Sequence, residues 1–106
     1  MIKVIFFKSG DNIRGFELSG HSGYAEEGSD IVCSAVSSVA YMVANTVTEI
    51  IGVNAEVELD DGYMKFIPEK ESDEVQTIFK GMALHLNALA QQYGKYLCCK
   101  EKLFKE

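Results

Sequence analysis

Positive charge is in short supply. Ten Lys and Arg stand against sixteen Asp and Glu, which leaves a formal net charge of −6 over 106 residues. No basic stripe for a phosphate backbone is present, so direct nucleic-acid binding is not expected. An acidic surface attracts a basic protein or peptide instead. Cysteine is sparse as well. Three residues, an odd number, fit a reduced compartment and argue against a disulfide framework. Neither Cys-x-x-Cys nor His-x-x-x-His spacing occurs, so a zinc site is not expected and no cofactor is implied. Gly20-His21-Ser22-Gly23 lacks the Gly-Lys-Ser/Thr ending of a phosphate loop. No apolar run is long enough to span a membrane. The apolar start Met1 to Lys8 is too short for a signal peptide, and no small-residue cleavage site follows it. These absences predict a cytoplasmic protein without metal or membrane contact.

What is present suffices for one domain, residues 1–106. Apolar residues make up 47% of the chain, enough for a core. A domain this small still buries a limited fraction of its surface, which makes oligomerisation a natural supplement.

Residues 2–7 are rich in Ile, Val and Phe and predict a strand. The Ser9-Gly10-Asp11-Asn12 turn leads to a second strand over 13–20, with Arg14, Phe16 and Leu18 expected on one face. Asp30 to Ile51 predicts one long helix. Val32, Ala35, Val36, Val39, Val43, Val47 and Ile50 recur at helical spacing, with Ser29 or Asp30 as N-cap and Gly52 as the stop. A hairpin follows. Its Asp61-Gly62 turn, of type I′ by composition, sets Val57 opposite Phe66 and Leu59 opposite Met64. A second helix over about 73–93 carries the stripe Val75, Phe79, Met82, Leu86, Leu89 and Tyr93, with Gly94 as its C-cap. Tyr96 to Cys99 is a last strand. The order is ββαββαβ. It predicts an α+β, sandwich-like fold in which a mostly antiparallel sheet packs against two long helices.

The chemistry concentrates between residues 20 and 37. His21 falls at a strand exit, and Cys33 falls in the first turn of the first helix. Free N–H groups and the helix dipole there favour a thiolate. An imidazole close by accepts a thiol proton and returns it to an amine leaving group. The plainer alternatives are a buried cysteine that merely packs and a loop histidine bonded to a carbonyl. Asp30 either orients the imidazole or caps the helix. Ser37, one turn beyond Cys33, either bonds near the thiol or back to its own helix. Ser22, Gly23 and Gly28 belong to the joining loop, whose glycines permit unusual backbone angles and closure over a substrate. Glu26 and Glu27 are solvated charges or contacts for a basic substrate. His85 sits mid-helix in an apolar stretch and is expected to be structural. Cys98 and Cys99 are adjacent on a strand and point to opposite faces, which defeats a shared metal site.

Gly20-His21, then Gly28-x-Asp30-Ile31-Val32-Cys33, then Ala35-Val36-Ser37 resembles the signature of the ribosomal-processing cysteine proteases, the Prp (YsxB-like) family. The likeness extends over essentially the whole chain. One departure is Ser34, where the family commonly has alanine. Both are small, so little is put in doubt. The resemblance implies a homodimeric bacterial thiol protease, a hydrolase of ribosome biogenesis. Such an enzyme removes an N-terminal extension from the twenty-seventh large-subunit ribosomal protein, cutting after an aromatic pair. It implies His21 as general base and Cys33 as nucleophile, with Asp30 and Ser37 in supporting positions. The partner implied is the N-terminal peptide of a basic ribosomal protein, with a second copy of the chain. The apolar run Val4 to Phe7 is one candidate for the dimer surface. Two other readings of the residues stay open: a non-catalytic ribosome-associated binding module, and a cysteine acyl hydrolase acting on small thioesters or amides.

Overall fold

The computed structural model describes residues 1–21, 23 and 30–105. Strands β1 (Ile2–Ser9) and β2 (Asn12–Ser19) form a hairpin. Helix α1 (Ile31–Asn45) runs on into a single wide π turn, Thr46–Ile51. Strands β3 (Ala55–Asp60) and β4 (Tyr63–Pro68), helix α2 (Asp73–Gln92) and strand β5 (Leu97–Leu103) complete the chain. The five strands lie in the order β3-β4-β2-β1-β5. Every neighbouring pair is antiparallel except β1 and β5, which run parallel. The expected α+β fold, with its element order, is therefore what the chain adopts.

Alternate residues of the strands point into one core. Ile2, Val4 and Phe6 of β1, Phe16 and Leu18 of β2, Met64 and Phe66 of β4, and Leu97 of β5 are all buried. Both helices cover this face. Val32, Val36, Ala40, Val43 and Val47 come from the first, and Val75, Phe79, Met82 and Leu86 from the second. At the centre, Phe16 stacks on Phe66 with ring centroids 5.5 Å apart. Phe79 meets both rings edge-on, at 6.1 and 6.4 Å. Aromatic contacts of this kind add about 0.5–1.5 kcal/mol each beyond area burial.

A polar side chain also enters this core. Gln76, 8% exposed, accepts the Ile13 N–H through Oε1 and donates to the Ile13 carbonyl through Nε2, both at 2.8 Å. It pairs with the strand backbone as another strand would, and so fixes the first turn of α2 to β2.

Four local expectations need correction. Arg14 does not share a face with Phe16 and Leu18. The ladder shifts at this point, with Phe7 opposite Gly15 and Lys8 opposite Ile13. At this β-bulge the ladder register skips position 14, and Ile13 turns inward instead. Arg14 stacks its guanidinium 4.4 Å over the Phe104 ring and meets Glu71 at 3.8 Å. Ile50 does not face the core either, being 80% exposed. The bond from Gly52 N–H to the Val47 carbonyl spans five residues. The wider turn slips the stripe by one position, so Ile51 packs inward in place of Ile50. The Asp61-Gly62 turn is not type I′. That form needs positive φ at both positions, and only Gly62 has it, at +65°. Gly94 is not a left-handed cap: α2 ends at Gln92 with Tyr93 as its C-cap, and the Tyr96 and Leu97 N–H groups bond back to the Tyr93 carbonyl.

Two further expectations change. The stretch Ile31–Ile51 is long and apolar enough to cross a membrane by length and composition. Its apolarity has a plain cause here, because one face of this stretch is the wall of the core. The run Val4 to Phe7 is not an open surface: β1 is flanked by β2 and β5, and Val4 and Phe6 are buried. Only Ile5 and Phe7 reach the sheet face that no helix covers.

Candidate active site

The hairpin register predicted from sequence holds, with Val57 opposite Phe66 and Leu59 opposite Met64. It places the β3–β4 turn beside the exit of β2, and the Gly20 N–H donates to the Gly62 carbonyl at 2.9 Å. Gly20 has φ +91°, and a Cβ there would lie 2.5 Å from the Met1 carbonyl oxygen. A side chain at residue 20 is excluded on both counts. The strand thus leaves the sheet sharply and delivers His21, exposed, over the hairpin tip.

The start of α1 forms the opposite wall. Asp30 is its N-cap, 6% exposed, and one carboxylate oxygen accepts the N–H groups of Val32 and Cys33, each at 3.0 Å. The Asp30 carbonyl accepts the Ser34 N–H at 3.1 Å. Of the two roles open for Asp30, the cap is the one observed. The expectation that these backbone groups await a developing negative charge needs correction, because the N–H groups of Val32, Cys33 and Ser34 are all engaged by Asp30.

His21, Gly23, Asp30, Cys33 and Ser37 line one cleft of about 430 Å³ between this helix start and the ends of β2 and β4. Two separate segments supply the imidazole and the thiol. Cys33 is half-buried, with its side chain partly packed on the core. Ser37 is exposed, and its hydroxyl has no hydrogen-bond partner among the described residues. Gly23 takes φ +73° with open space around it. Ser22 and Gly28, with Glu26, Glu27 and Ser29, lie outside the described residues.

The cleft also contains residues that the sequence did not single out. Tyr41 continues the α1 wall one turn past Ser37, and Gly62 and Tyr63 come from the hairpin. The Tyr63 hydroxyl donates to Glu17 at 3.0 Å. Burial, then this bond and the charges of Glu17 and Glu58, push the phenol up to about 12. The Tyr63 phenol is therefore held in its neutral form, bonded to Glu17. Spacing alone cannot reveal these residues, since they come from elements remote in sequence. The Asp-Gly dipeptide was a signal for the turn only.

Among the described residues no group of three or more His, Cys, Asp or Glu side chains is gathered as a metal site. Cys98 and Cys99 lie on β5, opposite Lys3 and Val4, away from the cleft. The Cys99 thiol is pushed up to about 11 by burial and then by Cys98.

Comparison with known proteins bears on the family and the fold. Residues 1–98 match the family described as cysteine protease Prp. The ribosomal processing cysteine protease Prp of Bacillus subtilis is 32% identical over 101 residues, covering 88% of this chain and 90% of that protein. Among solved structures, Prp from Staphylococcus aureus with a covalently linked product peptide superposes with a TM-score of 0.89. It is 24% identical, covering 96% of this chain and all of that one. A Streptococcus mutans protein, SMU.848, superposes with a TM-score of 0.85 at 28% identity, covering 98% of this chain and 96% of that one. A cleft that joins an imidazole to a helix-borne thiol, a family match over nearly the full length and a shared fold lead to one conclusion: this chain belongs to the Prp family of ribosomal processing cysteine proteases.

Proposed function

We propose that this cysteine protease removes the N-terminal extension of the twenty-seventh large-subunit ribosomal protein, cutting after an aromatic pair, with Cys33 as nucleophile and His21 as its base. One observation carries the residue assignment. His21 and Cys33, from separate segments, line the same cleft. The S. aureus relative solved with a substrate peptide supports a peptide as the occupant. The acidic net charge of −6 suits a tail drawn from a basic ribosomal protein.

The steps follow from the residues. His21 takes the thiol proton, and the Cys33 sulfur attacks the scissile carbonyl to form a C–S bond. The C–N bond then breaks as His21 returns the proton to the departing amine. Water hydrolyses the thioester, which releases the new carboxyl terminus and restores the thiol. With the N–H groups of Val32, Cys33 and Ser34 engaged by Asp30, the helix start has little left for the oxyanion. Ser37 offers a hydroxyl on the same helical face one turn on, and in this reading it donates to the oxyanion.

The deciding experiment is mass spectrometry of the intact ribosomal protein after incubation with this enzyme. Loss of a short N-terminal segment at an aromatic pair supports the reading. An uncut ribosomal protein alongside turnover of a small thioester would turn the reading toward acyl hydrolysis. The same reading includes a cytoplasmic homodimer, for which sedimentation should give twice 11.7 kDa.

A further inference from the structure

The β3–β4 turn touches the imidazole. A Cβ built on Gly62 would lie 2.9 Å from His21 Nε2, 3.3 Å from Cε1 and 3.5 Å from Cδ2. The first of these is closer than a real side chain tolerates, so the ring rests directly on the bare Cα of the turn. The same residue holds the backbone next to His21, through the 2.9 Å bond from the Gly20 N–H to the Gly62 carbonyl. One residue thus contacts both the ring and the chain that carries it.

Turn geometry alone does not account for this contact. Gly10, in the β1–β2 turn, has nearly the same left-handed backbone, φ +62° against +65°. A Cβ at Gly10 would meet nothing within 4 Å. Both turns therefore need glycine for their φ, and only Gly62 also needs it for a neighbour. That neighbour cannot yield without changing the orientation of the imidazole.

We propose that Gly62 is a positioning residue, and that the tip of the β3–β4 hairpin is the seat which sets the ring plane of His21 toward Cys33. The proposal rests on the assignment of His21 as base. A hairpin more than forty positions along the chain thereby controls the geometry of proton transfer. A misplacement of about 1 Å at a reacting group costs on the order of 100-fold in rate.

Gly10 supplies the reference that isolates the effect. G62A and G10A carry a similar backbone strain, and G62N and G10N lower it, because Asn tolerates the left-handed region better. Both Gly62 variants should lose about 10- to 100-fold in kcat with KM little changed, while both Gly10 variants keep wild-type turnover. Thermal midpoints should fall equally within each matched pair. The chain has two histidines, so ring-proton resonances are readily assigned. Those of His21 should move in G62A and G62N and stay in place in the Gly10 variants, with His85 unmoved in all four. Turnover in the Gly62 variants equal to that in the Gly10 variants overturns the proposal. So does a His21 ring signal that stays in place. His21→Ala, measured alongside, keeps the two claims separate. Its full activity would remove the base assignment itself, whereas its loss together with unaffected Gly62 variants removes only the seat.

Discussion

Asp30 Oδ1 lies 3.0 Å from the backbone nitrogen of Cys33, so the residue that bears the thiol is held through its main chain by a carboxylate. Loss of that cap should be measurable as stability. Asp30→Ala should cost about 1 kcal/mol, within a range of roughly 0.5–2 for N-cap removal, and Asp30→Asn should recover most of it. Urea denaturation of the three proteins checks this, and equal midpoints for Ala and Asn would contradict it.

The same contact changes what is expected of His21. A carboxylate at the helix start offsets the dipole and occupies the N–H groups that favour a thiolate, which leaves the imidazole as the main support for a reactive sulfur. His21→Ala should lower peptide turnover by about 10²- to 10⁴-fold, and alkylation of Cys33 by iodoacetamide should slow with it. Rapid alkylation in the variant would mean that the helix start suffices.

Ser37 is the test of the oxyanion assignment. Ser37→Ala should reduce kcat by about 10²- to 10³-fold, the usual effect of removing one donor, with little change in KM. Thermal stability should be nearly unchanged, because the side chain is exposed and bonds to no described residue. Steady-state kinetics with an aromatic-pair peptide gives the answer, and unchanged kcat would exclude this role.

Gln76 should matter for the fold alone. Gln76→Leu keeps the bulk but strands the N–H and carbonyl of Ile13 in the core, at about 1–3 kcal/mol for each unsatisfied group. Turnover per folded molecule should persist. A denaturation midpoint equal to wild type would show that water or a shifted backbone replaces both bonds.

Gln76 also marks where the sequence stopped being legible. Period-2 and period-3.6 patterns located both hairpins and both helices, since each element buries one face and the residue types repeat accordingly. The Val57–Phe66 pairing was readable for the same reason. Patterning failed where one residue changes the period. The bulge at Arg14 and the π turn before Gly52 each slip a face by one position, and composition carries no sign of either. Strand β5 runs on past Cys99 to Leu103 because an edge strand needs apolar residues on one face at most, and the strand read from the sequence therefore stopped at Cys99. At the site, His21, Asp30 and Cys33 were legible because their chemistry is local to one stretch of chain. Gly62 and Tyr41 were not, because folding alone brings them there.

Alkaline pH should loosen the sheet edge through Cys99. Burial, then the neighbouring Cys98, raises its thiol from 9.0 to about 11 in the folded chain. The folded state therefore keeps a proton that the unfolded state has released. The resulting stability is complete below about pH 9 and is lost as pH rises through about 11. Tyr63 acts in the same direction, with a phenol raised from 10.0 to about 12 by burial and then by Glu17 and Glu58. Urea midpoints should hold steady up to about pH 9 and fall between 9 and 12. Cys99→Ala should start lower, since its side chain packs against the core, but should lose less over the first part of that window. Tyr63→Phe should flatten the last part. Parallel curves for wild type and Cys99→Ala from pH 9 to 11 would show that the thiol does not drive the loss. The raised thiol also keeps Cys99 protonated at pH 8, so iodoacetamide should label Cys33 well before Cys99, as peptide mapping of partly alkylated protein would reveal.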